Sequence, residues 1–127
     1  MCLDKIKKRH RLSSAKLERK WVTRYKVMWI IRRNGKTSYD SLYNDCITTG
    51  VTYTAKNITG LGYGYLTGFH VFVDIDEARE HRNSDTPSKS IIKVQCRGLL
   101  AKGIQYWSDV EVYLYMRIPK RKYRRSK

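Results

Sequence analysis

Two segments near the end of the chain alternate apolar and polar residues with period two. In residues 90–100, Ile92, Val94 and Cys96 share one face, and Lys93, Gln95 and Arg97 share the other. In residues 109–118, Val110, Val112, Leu114, Met116 and Ile118 oppose Glu111, Tyr113, Tyr115 and Arg117. Such alternation predicts two half-buried strands in an antiparallel sheet. Gly98 and Gly103 predict a bend or turn between them, and Pro119 stops the second. Upstream, residues 21–33 place Tyr25, Val27, Trp29 and Ile31 on one face of a further strand. Asn34-Gly35 follows directly, a type I′ hairpin signal, so the next strand is expected to begin near Lys36 or Thr37.

Shorter strands are predicted over 51–55 and 69–73. The intervening stretch, residues 59–68, carries Gly60, Gly62, Gly64 and Gly68 and reads as a loop. Asp74 is placed to cap a helix over 76–82, with Glu77 completing a capping-box pattern, and the polar run 83–88 ends that helix. Ser13 or Ser14 is expected to cap a short helix in the weakly patterned first twenty residues. The expectation is an α+β domain over 1–127: a mainly antiparallel twisted sheet of about five strands with one or two short helices. A basic arm or short helix covers 1–20, the folded body 21–118, and a basic tail 119–127.

Charge changes this picture most. A net charge of +16 on 127 residues is segregated towards the two ends. Residues 119–127 hold six cations and no acid, whereas between Thr37 and Ile92 the acids outnumber the bases. Like charges packed on a compact body repel, so an anionic partner is expected in use. A hydrophobic share of 41% excludes a disordered chain. Cys2, Cys46 and Cys96 are odd in number and lack a CxxC spacing, so free thiols in a reducing cytoplasm are expected, and neither a metal nor another cofactor. No apolar run is long enough for a bilayer, and no secretory segment opens the sequence. The expected location is therefore the cytoplasm.

Candidate chemistry is sparse. His70 follows the glycine-rich loop, but no Ser/His/Asp or Cys/His set surrounds it. The G-x-G element at Gly60–Gly62 lacks the strand-before, helix-after context of a dinucleotide fingerprint. Cations interleaved with aromatic rings are the stronger pattern: Trp21, Arg24, Tyr25, Lys26 and Trp29 at one end, and Tyr113, Tyr115, Arg117, Lys122 and Tyr123 at the other. Rings stack on bases and cations neutralise phosphates. The candidate polyanion contacts are Lys7, Lys8, Arg9 and Arg11 in the arm, and Arg24, Lys26, Lys93, Arg97 and Arg117 on strands. Lys120, Arg121, Lys122, Arg124 and Arg125 complete the set in the tail. Candidate stacking or pocket residues are Tyr63, Tyr65, His70, Tyr113 and Tyr115.

Residues 67–72 (Thr-Gly-Phe-His-Val-Phe), 76–79 (Asp-Glu-Ala-Arg) and 92–103 together resemble a pattern in small phage and mobile-element proteins. That pattern is a G-F/Y-H-x-F strand, an E-A helix and a V-x-x-x-G-x-x-A-x-G strand, here spanning about residues 60–118. The resemblance implies a small α+β fold and a phage-like origin, where non-enzymatic inhibitors of host defence are common, and with that origin the host cytoplasm as the location.

These readings converge on a non-catalytic protein that binds a polyanion, foremost nucleic acid, through basic arms and a Tyr/Arg-bearing sheet face. The alternative is a phage anti-defence protein that blocks a host nuclease, for example an anti-CRISPR, or sequesters a nucleotide immune signal. The partner is then nucleic acid or a nucleic-acid-binding protein, with no membrane, and Tyr- and Val-rich edge strands are compatible with self-association.

Overall fold

A computed structural model describes residues 3, 5–41, 44–55, 66, 68–85, 89–105 and 107–120. In chain order these form β1 (Lys5–Arg9), α1 (Leu12–Leu17), β2 (Val22–Arg33), β3 (Lys36–Ser41) and β4 (Asn44–Ile47). There follow β5 (Tyr53–Thr54), β6 (Phe69–Phe72), α2 (Ile75–Asp85), β7 (Ser90–Gln105) and β8 (Ser108–Arg117). Among the described residues, seven strands lie on one path of antiparallel pairings, β1-β7-β8-β6-β2-β3-β4, and the two-residue β5 adds to β8. The mostly antiparallel α+β class agrees with the sequence, but the sheet is larger than the five strands expected. β1 and β4 went unforeseen because each is short and lacks a periodic apolar signal.

Strands β7 and β8 form one long hairpin. Gly98 and Gly103 do not end β7. A bulge between Leu99 and Ala101 shifts the register, so Leu100 and Ala101 are both buried and the inward parity continues through Gly103 and Gln105. Gly98 has φ +77, and a Cβ there would lie 2.8 Å from the Ala15 carbonyl oxygen. Only glycine lets α1 lie this close to β7. Upstream of the bulge β7 pairs with β2 over Val22–Met28; beyond it β7 pairs with β1. Strand β2 also meets β6 at Tyr25↔Phe72, so β7, β8, β6 and β2 form a closed ring of pairings.

Two apolar clusters result. One contains Leu3, Ala15, Phe72, Ala78, Leu100 and Val112, drawing on both helices. The other contains Met28, Phe69, Val71, Val94, Cys96, Tyr113 and Met116. Strand β2 is covered on both faces: Met28 is fully buried, while Tyr25 and Val27 on the opposite face pack on the first cluster.

Local signals hold in part. Asn34 and Gly35 have φ 51 and 74, as the type I′ turn between β2 and β3 requires. The Asp74 carboxylate accepts the Asp76 backbone N–H at 2.9 Å and so caps α2. Glu77 does not close a capping box; its Oε2 accepts the backbone N–H of Asp109 across the fold. Helix α2 runs through Asp85, beyond the expected end at 82. Helix α1 begins after Arg11 without a side-chain cap, so Ser13 and Ser14 lie inside it. Among the described residues, no helix is long and apolar enough to cross a membrane.

Candidate nucleic-acid interface

Period-two alternation puts Lys93, Gln95 and Arg97 of β7 opposite the buried Val94 and Cys96. Cross-strand pairing then sets Arg97 against Tyr115 and Gln95 against Arg117. The Arg97 guanidinium carbon sits 4.0 Å from the Tyr115 ring centre, and that of Arg117 sits 4.0 Å from Trp21. Arg97 also lies 5.2 Å from Trp21. The result is a row of alternating rings and guanidiniums: Tyr115, Arg97, Trp21, Arg117. Its geometry is fixed by hydrogen bonds, since Arg97 donates to the Glu18 carbonyl at 3.1 Å and Arg117 Nε donates to Gln95 Oε1 at 2.7 Å. Trp21 arrives from the segment joining α1 to β2, a placement that strand patterning of either segment alone does not contain.

The supposed N-terminal arm is not loose. Its residues 5–9 form β1, an edge strand on β7, with Ile6 packed on the core and Lys5, Lys7, Lys8 and Arg9 exposed. Lys8 lies directly opposite Lys102, and like charges across a ladder repel. Lys102 is partly compensated by Glu111 at 3.5 Å, and Lys7 by Asp109 at 3.2 Å. An open concavity of about 430 Å³ lies against Ile6, Lys7, Lys8 and Arg9. Arg11 and Lys120 are exposed, as is Lys93. Arg121, Lys122, Arg124 and Arg125, together with Tyr63 and Tyr65, lie outside the described residues.

Four expected surface residues turn inward instead. Arg24 and Lys26 alternate onto the same face of β2 as the buried Met28. Arg24 Nε donates to Glu111 Oε1 at 2.6 Å, and the Tyr113 hydroxyl donates to the same oxygen at 2.6 Å. Glu111 and Tyr113 are only 4% and 5% exposed, so Tyr113 offers no free ring for stacking. Burial pushes the Glu111 carboxyl upward, but the Tyr113 hydroxyl and the Arg24 guanidinium outweigh it and hold it below the usual range. Burial and Glu111 raise the Tyr113 hydroxyl, and Glu111 outweighs burial to raise Arg24.

Lys26 is 7% exposed and donates to the His70 carbonyl at 2.9 Å. Burial lowers its amine to about 8, with Lys89 adding repulsion, so it cannot serve as a surface phosphate contact. His70 is half-buried, with Nδ1 at 3.1 Å from the Gly68 carbonyl, and burial followed by the nearby Lys26 charge lowers it to about 4. Its imidazole is therefore neutral at pH 7.

Some residues escaped sequence reasoning. Trp107, 97% exposed at φ 69, stands on the turn between β7 and β8; a tryptophan in a hairpin turn has no core to fill, and that is its only sequence signal. Arg79 and Arg82 of α2 line a groove against β2 and β7, a placement hidden by the acidic balance of that stretch.

Comparison with protein-family models, with curated proteins and with solved structures finds no match for this chain.

Proposed function

We propose that the protein binds nucleic acid without catalysing a reaction on it. The row Tyr115–Arg97–Trp21–Arg117 is the observation that carries this reading. Guanidiniums held over rings place a charge for phosphate beside aromatic surface for bases. Lys93 lies on the same face of β7, and β1 adds exposed cations along a neighbouring edge. An anionic partner would also relieve a net charge of +16, which repels itself on a compact body.

Counterion release dominates such binding, so the association constant falls steeply and linearly with salt on logarithmic axes. Fluorescence anisotropy with labelled single- and double-stranded DNA and RNA, over a salt series, is the direct test. Absent binding, or binding indifferent to salt, rejects the proposal.

A further inference from the structure

Strand β7 lies between β2 and β8, and Lys93, Gln95 and Arg97 share one of its faces. Lys93 pairs with Tyr25 of β2, and Arg97 with Tyr115 of β8. Gln95 between them pairs with Thr23 on one side and Arg117 on the other. Directly opposed residues of antiparallel strands share a face, so these side chains form three successive rungs. Trp21, just ahead of β2, lies over Arg97 and Arg117 and so spans two of the rungs.

This face meets solvent: Lys93 and Thr23 are exposed, and Trp21, Arg97, Tyr115 and Arg117 are half-buried. The two guanidiniums are anchored on neutral oxygens, the Glu18 carbonyl for Arg97 and the Gln95 amide for Arg117. Neither contact cancels their charge. Same-face positions on a strand recur about every 6.7 Å. Stacked nucleotides along a duplex strand rise by about 3.4 Å. Bases seated on successive rungs are therefore about twice as far apart as stacked bases. They must be unstacked. A duplex keeps its base faces covered and presents only phosphates, sugars and groove edges. The cations could use such a ligand, but the rings could not. A single strand supplies base faces as well as phosphates, and rings and guanidiniums both take up unstacked bases.

Given nucleic-acid binding, on which this inference rests, we propose that the β2–β7–β8 face takes a single-stranded segment in preference to a duplex. Trp21 and Tyr115 stack bases, while Arg97, Arg117 and Lys93 meet the phosphates. At one nucleotide to a rung the segment is about three nucleotides long.

The test is fluorescence anisotropy on the full chain with a labelled mixed-sequence dodecanucleotide, made as DNA and as RNA. The duplex of each and an abasic strand of equal charge complete the series. The single strand is expected to bind more tightly than the duplex and the abasic strand by about tenfold or more. Trp21→Ala is expected to shrink that margin by about fivefold or more. Tyr115→Leu, which keeps an apolar anchor on the first core cluster, should also shrink it. Lys36→Ala at the distant hairpin turn leaves the margin unchanged. Thermal melts confirm that the variants fold. The tighter of the DNA and RNA strands names the source, and equal affinity makes the site indifferent to the sugar; both uphold the proposal. A duplex or abasic strand that binds as tightly as the single strand overturns it and leaves the nucleic-acid reading intact. So does a margin of wild-type size in both ring variants. Binding by none of the strands removes the nucleic-acid reading itself, and this proposal with it.

Discussion

Arg97 and Tyr115 face each other across the β7–β8 ladder, the guanidinium carbon 4.0 Å from the ring centre. Trp21 covers Arg97 and Arg117 from a separate segment, so one aromatic residue organises two cations. Trp21→Ala is therefore expected to weaken nucleic-acid binding by about 1–2 kcal/mol with little change in salt slope, because every charge remains. Arg117→Ala is expected to reduce the slope by about one, the loss of one phosphate contact. Anisotropy over a salt series separates the two behaviours, and identical effects from both variants would refute this division of roles.

Glu111 carries the buried end of the Arg24 and Tyr113 contacts on a single oxygen. Glu111→Gln keeps the shape but leaves a guanidinium facing a neutral amide. Removing one partner of a buried pair is costly, so a loss of about 2–4 kcal/mol in urea denaturation is expected. A loss below about 1 kcal/mol would mean that solvent already screens the pair.

Lys26 makes stability depend on pH in alkali. Below pH 8 its amine is charged in both folded and unfolded chains, and the cost of burying it is fully present. Between about 8 and 10.5 the unfolded chain keeps a proton that the folded protein has released, so stability rises with pH. Cys96 acts oppositely: burial lifts its thiol from 9.0 to about 12, and the unfolded chain loses that proton first. The clean window is therefore pH 8–9, where a gain of about 1 kcal/mol is expected. Lys26→Met should abolish that gain and raise stability at pH 7 by about 1–3 kcal/mol. Denaturant titrations at pH 7, 8 and 9 check both; an unchanged pH profile in the variant would contradict the assignment.

His70 governs the acid side. Its folded value of about 4 lies below the ordinary 6.5, so between those limits the unfolded chain binds a proton that the folded protein refuses. Stability then falls as pH drops from 6.5 towards 4. His70→Gln is expected to flatten that part of the curve, measured by thermal melts across the same range. A slope of wild-type size in the variant would place the acid sensitivity elsewhere.

Gly98 combines positive φ with contact to the Ala15 backbone. Gly98→Ala is expected to cost more than about 1 kcal/mol, through strain and through displacement of α1. Because Trp21 follows α1, nucleic-acid affinity should fall with it. A variant of wild-type stability would show that α1 moves aside freely.

Much of the local structure was legible from residue order. The alternation of 90–96, the Asn34-Gly35 turn and the Asp74 cap each depend on contacts within a few residues, and all are present, whereas β8 is buried on both faces from Val110 to Leu114 instead of half-buried. Lys93, Arg97 and Arg117 also lie on the polar faces that alternation assigned to them. What alternation cannot reveal is what lies over a face. Arg24 and Lys26 occupy the polar positions of β2, yet the ring of β2, β7, β8 and β6 encloses that side, and Glu111 and a backbone carbonyl take the place of water. Tyr113 and Tyr115 share one face of β8 and part company for the same reason: one is enclosed with Glu111, the other is left to hold Arg97. The sequence by itself determined the periods, the turns and the total charge. Only the tertiary structure decided which cations meet solvent, because that depends on strand pairings and an ion pair between residues about 60–90 positions apart, which no local pattern encodes.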